Sequence, residues 1–226
     1  MLILSHRGYP AKAPENTLAA FEAAIALGVD GIETDIRLSR DNVPILYHDR
    51  LTPDGCPVAT LTQAELSELV GYSVPRLEEA LNLTIDPSKP FLWNLEIKTP
   101  DALNPTVAIL SRYFAHQRIL VTSFWHPLIL ELSQRVDVEC GLLVAHRPID
   151  FQVRPNWIPD HPSIQTLVYH YDTLDPALIS QSLACGLRTF VYGAQTRQDH
   201  RQLTHWPIDG IITDHPEFLL RGRFHS

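Results

Sequence analysis

Leu2-Ile3-Leu4-Ser5-His6-Arg7-Gly8 and, one helix later, Gly31-Ile32-Glu33-Thr34-Asp35-Ile36 are the stretches whose reading decides the fold. Each is a short apolar run that ends on polar residues, the signature of a buried strand. Pro10 and Pro14 keep the first connection irregular. Asn16 then reads as an N-cap for a helix through Leu27, with Leu18, Phe21 and Ile25 on one face and Gly28 at its stop. Strand, helix, strand in this order predicts a parallel pair. Glu33 and Asp35 are two residues apart, so both carboxylates project from the same face of the second strand.

Outward from there the alternation continues. Asp41-Asn42 marks a turn and Pro44 to Tyr47 a further strand, so 36–47 reads as a β-hairpin that brings His48 back over the second strand. Thr62 to Glu65 is a capping box for a helix to about Val70, and a second helix is expected from Arg76 to Leu83. Strands are expected over 91–98, 119–123, 141–144, 165–169, 188–192 and 210–213, with helices over 101–115, 127–136, 176–186, 198–204 and 216–221. Without the hairpin strand there are eight core strands, which fits a single-domain α/β fold, a (β/α)8 TIM barrel spanning residues 1–226 with a small hairpin insertion after strand 2. The proline-rich stretch 145–163 allows little helix.

The chain has 226 residues, 45% of them apolar, and a formal charge of −8, with no basic stripe for nucleic acid. No apolar run approaches the roughly 20 residues that span a bilayer, and no signal-peptide pattern opens the chain. A soluble, cytoplasmic protein without stable membrane association is expected, as a monomer or homodimer. Cys56, Cys140 and Cys185 lack metal or redox spacing and read as plain thiols.

In such a barrel, chemistry gathers at the C-terminal ends of the strands. His6, Glu33, Asp35, Glu96 and Lys98 all fall there, and Ser123 ends the fourth core strand. Three carboxylates amid apolar neighbours are costly without a cation. All-oxygen ligation by Glu33, Asp35 and Glu96 favours Mg²⁺ or Ca²⁺, with Mn²⁺ also open. His6 and His48 are the candidates for proton transfer, and Arg7 and Lys98 for holding a phosphate. Their alternative is a salt bridge to a neighbouring carboxylate, and both can hold together. His170 and His215 sit near strand ends as rim candidates, whereas His116, His126, His161, His200, His205 and His225 read as surface or loop residues.

At these residues the chain resembles the glycerophosphodiester phosphodiesterase family. His6-Arg7-Gly8, Pro14-Glu15-Asn16-Thr17, Gly31-Ile32-Glu33-Thr34-Asp35 and His48-Asp49 follow its N-terminal signature in order and spacing. Glu96-Ile97-Lys98, Thr122-Ser123-Phe124 and Gly210 to Pro216 follow its later blocks. The resemblance implies a metal-dependent TIM barrel that hydrolyses a small-molecule glycerophosphodiester to glycerol 3-phosphate and an alcohol. It gives Glu33, Asp35 and Glu96 to the metal, His6 and His48 to acid–base catalysis, and Arg7 and Lys98 to the phosphate. Two departures bear on the pocket. Leu51 to Gly55 is brief where the family usually carries a longer insertion, and Val191-Tyr192-Gly193 replaces a tryptophan-containing run, with Tyr192 as a substitute wall. A lipid-linked diester, a silent phosphate-binding barrel and a sugar-phosphate isomerase are the rival readings.

Overall fold

The strands, in chain order, are β1 (Leu2–His6), β2 (Gly31–Leu38), β3 (Pro44–Leu46), β4 (Leu92–Ile97), β5 (Arg118–Ser123), β6 (Glu139–Val144), β7 (Ile164–His170), β8 (Arg188–Tyr192) and β9 (Gly210–Thr213). The helices are α1 (Leu18–Leu27), α2 (Gln63–Val70), α3 (Leu77–Leu81), α4 (Leu103–Tyr113), α5 (His126–Ser133), α6 (Pro176–Ala184), α7 (Arg197–Leu203) and α8 (Glu217–Leu220). The computed structural model describes residues 1–86, 88–148, 158 and 160–220. Residue 221, His225 and the Pro155 and Pro159 of the 145–163 stretch lie outside the described residues.

All strands except β3 run parallel, and β1 pairs with both β2 and β9, so eight strands close into a barrel. This is the TIM barrel expected from the alternation. The ninth strand, β3, lies antiparallel on the far end of β2, with Ile36 opposite Leu46 and Leu38 opposite Pro44. It is the expected hairpin, and it stands beyond the ring.

Alternation along each strand sorts the side chains into two layers. Leu4, Leu92, Leu120, Leu143, Val168, Phe190 and Ile212 fill the barrel interior. The residues between them face outward against the helices, where Ile3, Ile32, Ile36, Trp93 and Leu95 pack with Phe21, Ala24 and Leu110. Trp93 is fully buried there, with Phe21 edge-on at 5.7 Å. On β2 the interior position level with Leu4 and Leu92 is Gly31. A Cβ at Gly31 would collide with the Leu92 carbonyl oxygen, so the ring closes only around a glycine. The lower end is closed by Arg188, which donates to Glu139 Oε2 at 2.8 Å and to Thr166 Oγ1 at 2.7 Å. The upper end carries the polar residues.

Candidate active site

Four of the expected site residues, His6, Glu33, Asp35 and Glu96, follow from the inward faces of their strands. His6 is the next inward position after Leu4 on β1, Glu33 and Asp35 follow Gly31 on β2, and Glu96 is the last inward position of β4. The register sets Asp35 directly beside Glu96. One oxygen from each of Glu33, Asp35 and Glu96 lies within 4.8 Å of the other two, and all three residues are buried. Lys98 Nζ reaches Glu96 Oε1 at 2.7 Å and Asp35 Oδ1 at 3.3 Å. Arg7, at φ +57 in the tight turn after β1, places Nε 3.1 Å from Asp35 Oδ2 and Nη1 3.1 Å from Glu15. Both cations are thus tied to carboxylates of the cluster, the alternative that the residue types allowed.

Buried charges of one sign cannot all stay ionised. Burial and the Asp35 charge push the Glu33 carboxyl up to about 8. Burial and Asp35 likewise raise Glu96, despite Lys98. Asp35 moves the other way: burial works to raise it, but Lys98 and Arg7 hold it below the usual range. Glu33 Oε2 is buried with no hydrogen-bond partner among the described residues. Three converging carboxylates, one of them kept protonated for want of positive charge, are the donor set a hard divalent cation takes.

The two histidines stand on different supports. His6 Nδ1 lies 2.7 Å from Asp214 Oδ1, so Nε2 faces the cluster, 3.7 Å from Glu33 Oε2. Burial opposes protonation of this ring, but Asp214 and Glu33 outweigh it and raise its pKa. His48 follows the hairpin; its Nδ1 is 2.8 Å from Asp49 Oδ1, and its carbonyl accepts from Arg37 Nε at 2.8 Å. Burial and the cations Arg7 and Lys98 lower the His48 pKa against the pull of Asp35. His6, Glu33 and Glu96 line a cavity with Asn94, Thr122, Phe124 and Tyr192, floored by Leu143 and Ile212.

Other residues depart from their expected places. Asn16 is not the cap of α1. Thr17 is, accepting from the Ala20 N–H at 3.2 Å, while Asn16 turns inward at φ +56. There its Nδ2 donates to Asp35 Oδ2 at 2.8 Å and its Oδ1 accepts from Thr34 Oγ1 at 2.6 Å. His200 is buried, not a surface residue, with Nε2 2.7 Å from Thr213 Oγ1 and Nδ1 2.7 Å from the Thr196 carbonyl. Ser123 occupies an outward position and ties β5 to the Ile97 carbonyl at 2.6 Å. His215 stacks on Phe218, and His170 packs edge-on against Tyr192. Asp214, Asn16 and Asn94 were not singled out as site residues. Stepping two positions back from Glu96 on the same strand face would have reached Asn94.

Comparison with known proteins bears on this geometry. Residues 6–218 match the model of the glycerophosphoryl diester phosphodiesterase family. The chain belongs to that family. Its glycerophosphodiester phosphodiesterase relatives include one from Caldanaerobacter subterraneus subsp. tengcongensis, 29% identical over 97% of this chain and 96% of that protein. Another, from Bacillus altitudinis, is 30% identical over 98% of this chain and 97% of its own. The fold is shared with an Oleispira antarctica phosphodiesterase solved with its product sn-glycerol-3-phosphate, at a TM-score of 0.83 and 22% identity, covering 100% of this chain and 97% of that one. Tyr192, the substitute expected for a tryptophan-containing run, lines the cavity as an aromatic wall, 6.4 Å from Phe124 and edge-on to it. Among the described residues no helix is long and apolar enough to cross a membrane.

Proposed function

We propose that this chain hydrolyses small-molecule glycerophosphodiesters to glycerol 3-phosphate and an alcohol, using one divalent cation, Mg²⁺ or Ca²⁺ with Mn²⁺ as an alternative. The observation that carries this reading is the acid triad, with its oxygens within 4.8 Å of one another, set between two carboxylate-backed histidines and two cations. The names of the full-length relatives and the product held by the Oleispira antarctica protein support it.

Glu33, Asp35 and Glu96 would hold the cation, and the chemistry it would supply is neutralisation of negative charge on the phosphate. Arg7 and Lys98 bind the phosphate oxygens, exchanging part of their contact with Asp35 and Glu96 for the substrate. One of His6 and His48 removes the proton from the nucleophile and the other protonates the leaving alkoxide. The Asp214 and Asp49 carboxylates fix each ring by its Nδ1, so that Nε2 is the atom presented to substrate.

The deciding experiment is glycerol 3-phosphate release from glycerophosphocholine after chelation, then with Mg²⁺, Ca²⁺ or Mn²⁺ added back singly. Release restored by a cation is expected. Folded protein that releases nothing with any of the three overturns the reading. Phe124 and Trp125 are 43% and 53% exposed near the end of β5. That apolar rim favours a second reading, a lipid-linked diester, which the same assay tests with lysophosphatidylcholine.

A further inference from the structure

Asn94 lies two residues below Glu96 on the same inward face of β4, level with Glu33 on β2. It is fully buried and lines the cavity beside Glu33, Thr122 and Tyr192. Its Oδ1 accepts a hydrogen bond from Thr122 Oγ1 at 2.9 Å, which sets the amide. Its Nδ2 is then a buried donor with no hydrogen-bond partner among the described residues. The reverse flip would leave an orphaned acceptor in a cavity already lined by carboxylate oxygens. Buried donors left unpaired are costly and rare, and an orphan inside a reaction cavity points to a ligand atom.

Position says which atom. Two strand residues place Asn94 about 7 Å back along β4 from Glu96, toward the barrel floor. Arg7 and Lys98 stand at the upper end, so the phosphate binds above and something neutral reaches down. The cations Arg7 and Lys98 are engaged above with Asp35 and Glu96, and none of the residues lining the cavity beside Asn94 is a lysine or arginine that would hold an anion there. The floor is Leu143 and Ile212, and the cavity is ≈ 30 Å³. That is room for one group little larger than a water. A hydroxymethyl arm fits, with its carbon on the apolar floor and its oxygen toward the amide.

We propose that Asn94 is the specificity residue that donates to the terminal hydroxyl of the substrate's glycerol moiety, with Thr122 as the residue that orients it. This rests on the function proposed above. It predicts that the enzyme distinguishes glycerol from 1,2-propanediol, which keeps the hydroxyl next to the phosphoester carbon and lacks only the terminal one.

The test uses p-nitrophenyl diesters of glycerol phosphate and 1,2-propanediol phosphate, which share a leaving group. Wild-type protein should favour the glycerol diester by about 10- to 100-fold in kcat/KM, the cost of leaving one buried donor unpaired. Asn94→Ala should reduce that preference to within about threefold, because substrate and protein changes remove the same bond. Damage to the fold or to the cation site would lower both rates and leave the ratio standing. Should Asn94→Ala fail to fold, Thr122→Val, which frees the amide to rotate, should shrink the preference as well. A wild-type enzyme indifferent to the hydroxyl, or a preference that survives substitution, overturns the inference and leaves the function intact. Cleavage of neither diester nor of glycerophosphocholine overturns the function and the inference with it.

Discussion

Asn16 Nδ2 donates to Asp35 Oδ2 at 2.8 Å across 19 residues of chain. The same amide accepts from Thr34 Oγ1 and, at 3.3 Å, from the Asp35 backbone N–H. It therefore fixes both the strand end and the carboxylate that Arg7 and Lys98 contend for. Asn16→Gly keeps the positive φ without strain and removes only the amide. It should weaken divalent-cation affinity about 10- to 100-fold, the usual effect of losing a partner that orients a ligand. Calorimetric titration with Mg²⁺ or Ca²⁺ checks this, and an unchanged affinity would leave Asn16 a turn residue only.

Asp214→Asn removes the charge that raises the His6 pKa and leaves the ring's shape and contacts in place. The His6 value should fall, read from its ring proton shifts across a pH series. Turnover should drop about 100-fold, toward the low end of what acid–base catalysis supplies. If His6 works as the base, the acidic limb of the rate profile moves to lower pH. If it works as the acid, the alkaline limb does. No movement of either limb would detach Asp214 from His6's chemistry.

Stability and cation binding are linked through Glu33. Its folded value, about 8, lies above its ordinary value of 4.5, so the folded state holds the proton more tightly. Cation-free protein should therefore lose stability as pH rises from about 4.5 to about 8. Asp35 carries the opposite sign, and its contribution is lost as pH falls through its depressed value. Adding Mg²⁺ or Ca²⁺ releases the Glu33 proton, so melting temperature should rise most near pH 8 and its fall with pH should flatten. Identical melting curves with and without every cation would remove the triad from metal binding.

His6→Ala and His48→Ala should each lower kcat about 10²- to 10⁴-fold while leaving cation affinity within a few-fold. Steady-state kinetics beside calorimetric titration separates the two quantities. Retained turnover in either variant takes that ring out of proton transfer.

What the sequence made legible follows from the range of each interaction. The convergence of Glu33, Asp35 and Glu96 is legible because a period of two along a strand needs only local residues, and the parallel register brings them together. The placement of His48 is legible through the hairpin, where β3 folds back on β2 within a few residues. The cap of α1 is not legible, because Asn16 and Thr17 are both good caps and only the contact with Asp35 decides which of them turns inward. His200 sits in a polar run, Arg197-Gln198-Asp199-His200-Arg201, that looks like a solvated face. Its burial comes from Thr213 on a different element. The Asp214 contact to His6 spans 208 residues, and no local pattern announces it.

Closing the ring has a kinetic meaning. β1 pairs with β9 from Leu2 opposite Gly210 to Ser5 opposite Thr213, and Asp214 comes next. The acid triad and His48 belong to the first hundred residues, so a growing or refolding chain can bring them together early. His6 acquires its carboxylate only after the strand that begins at Gly210 has found the strand that begins at Leu2, the strand pairing most distant in sequence among the described residues. Recovered activity should then trail the far-UV signal during refolding, as helices and neighbouring strands form before the seam. An incomplete barrel leaves the His6 ring without its Asp214 partner, so on the function proposed above the last seam to form is also the one that completes the site.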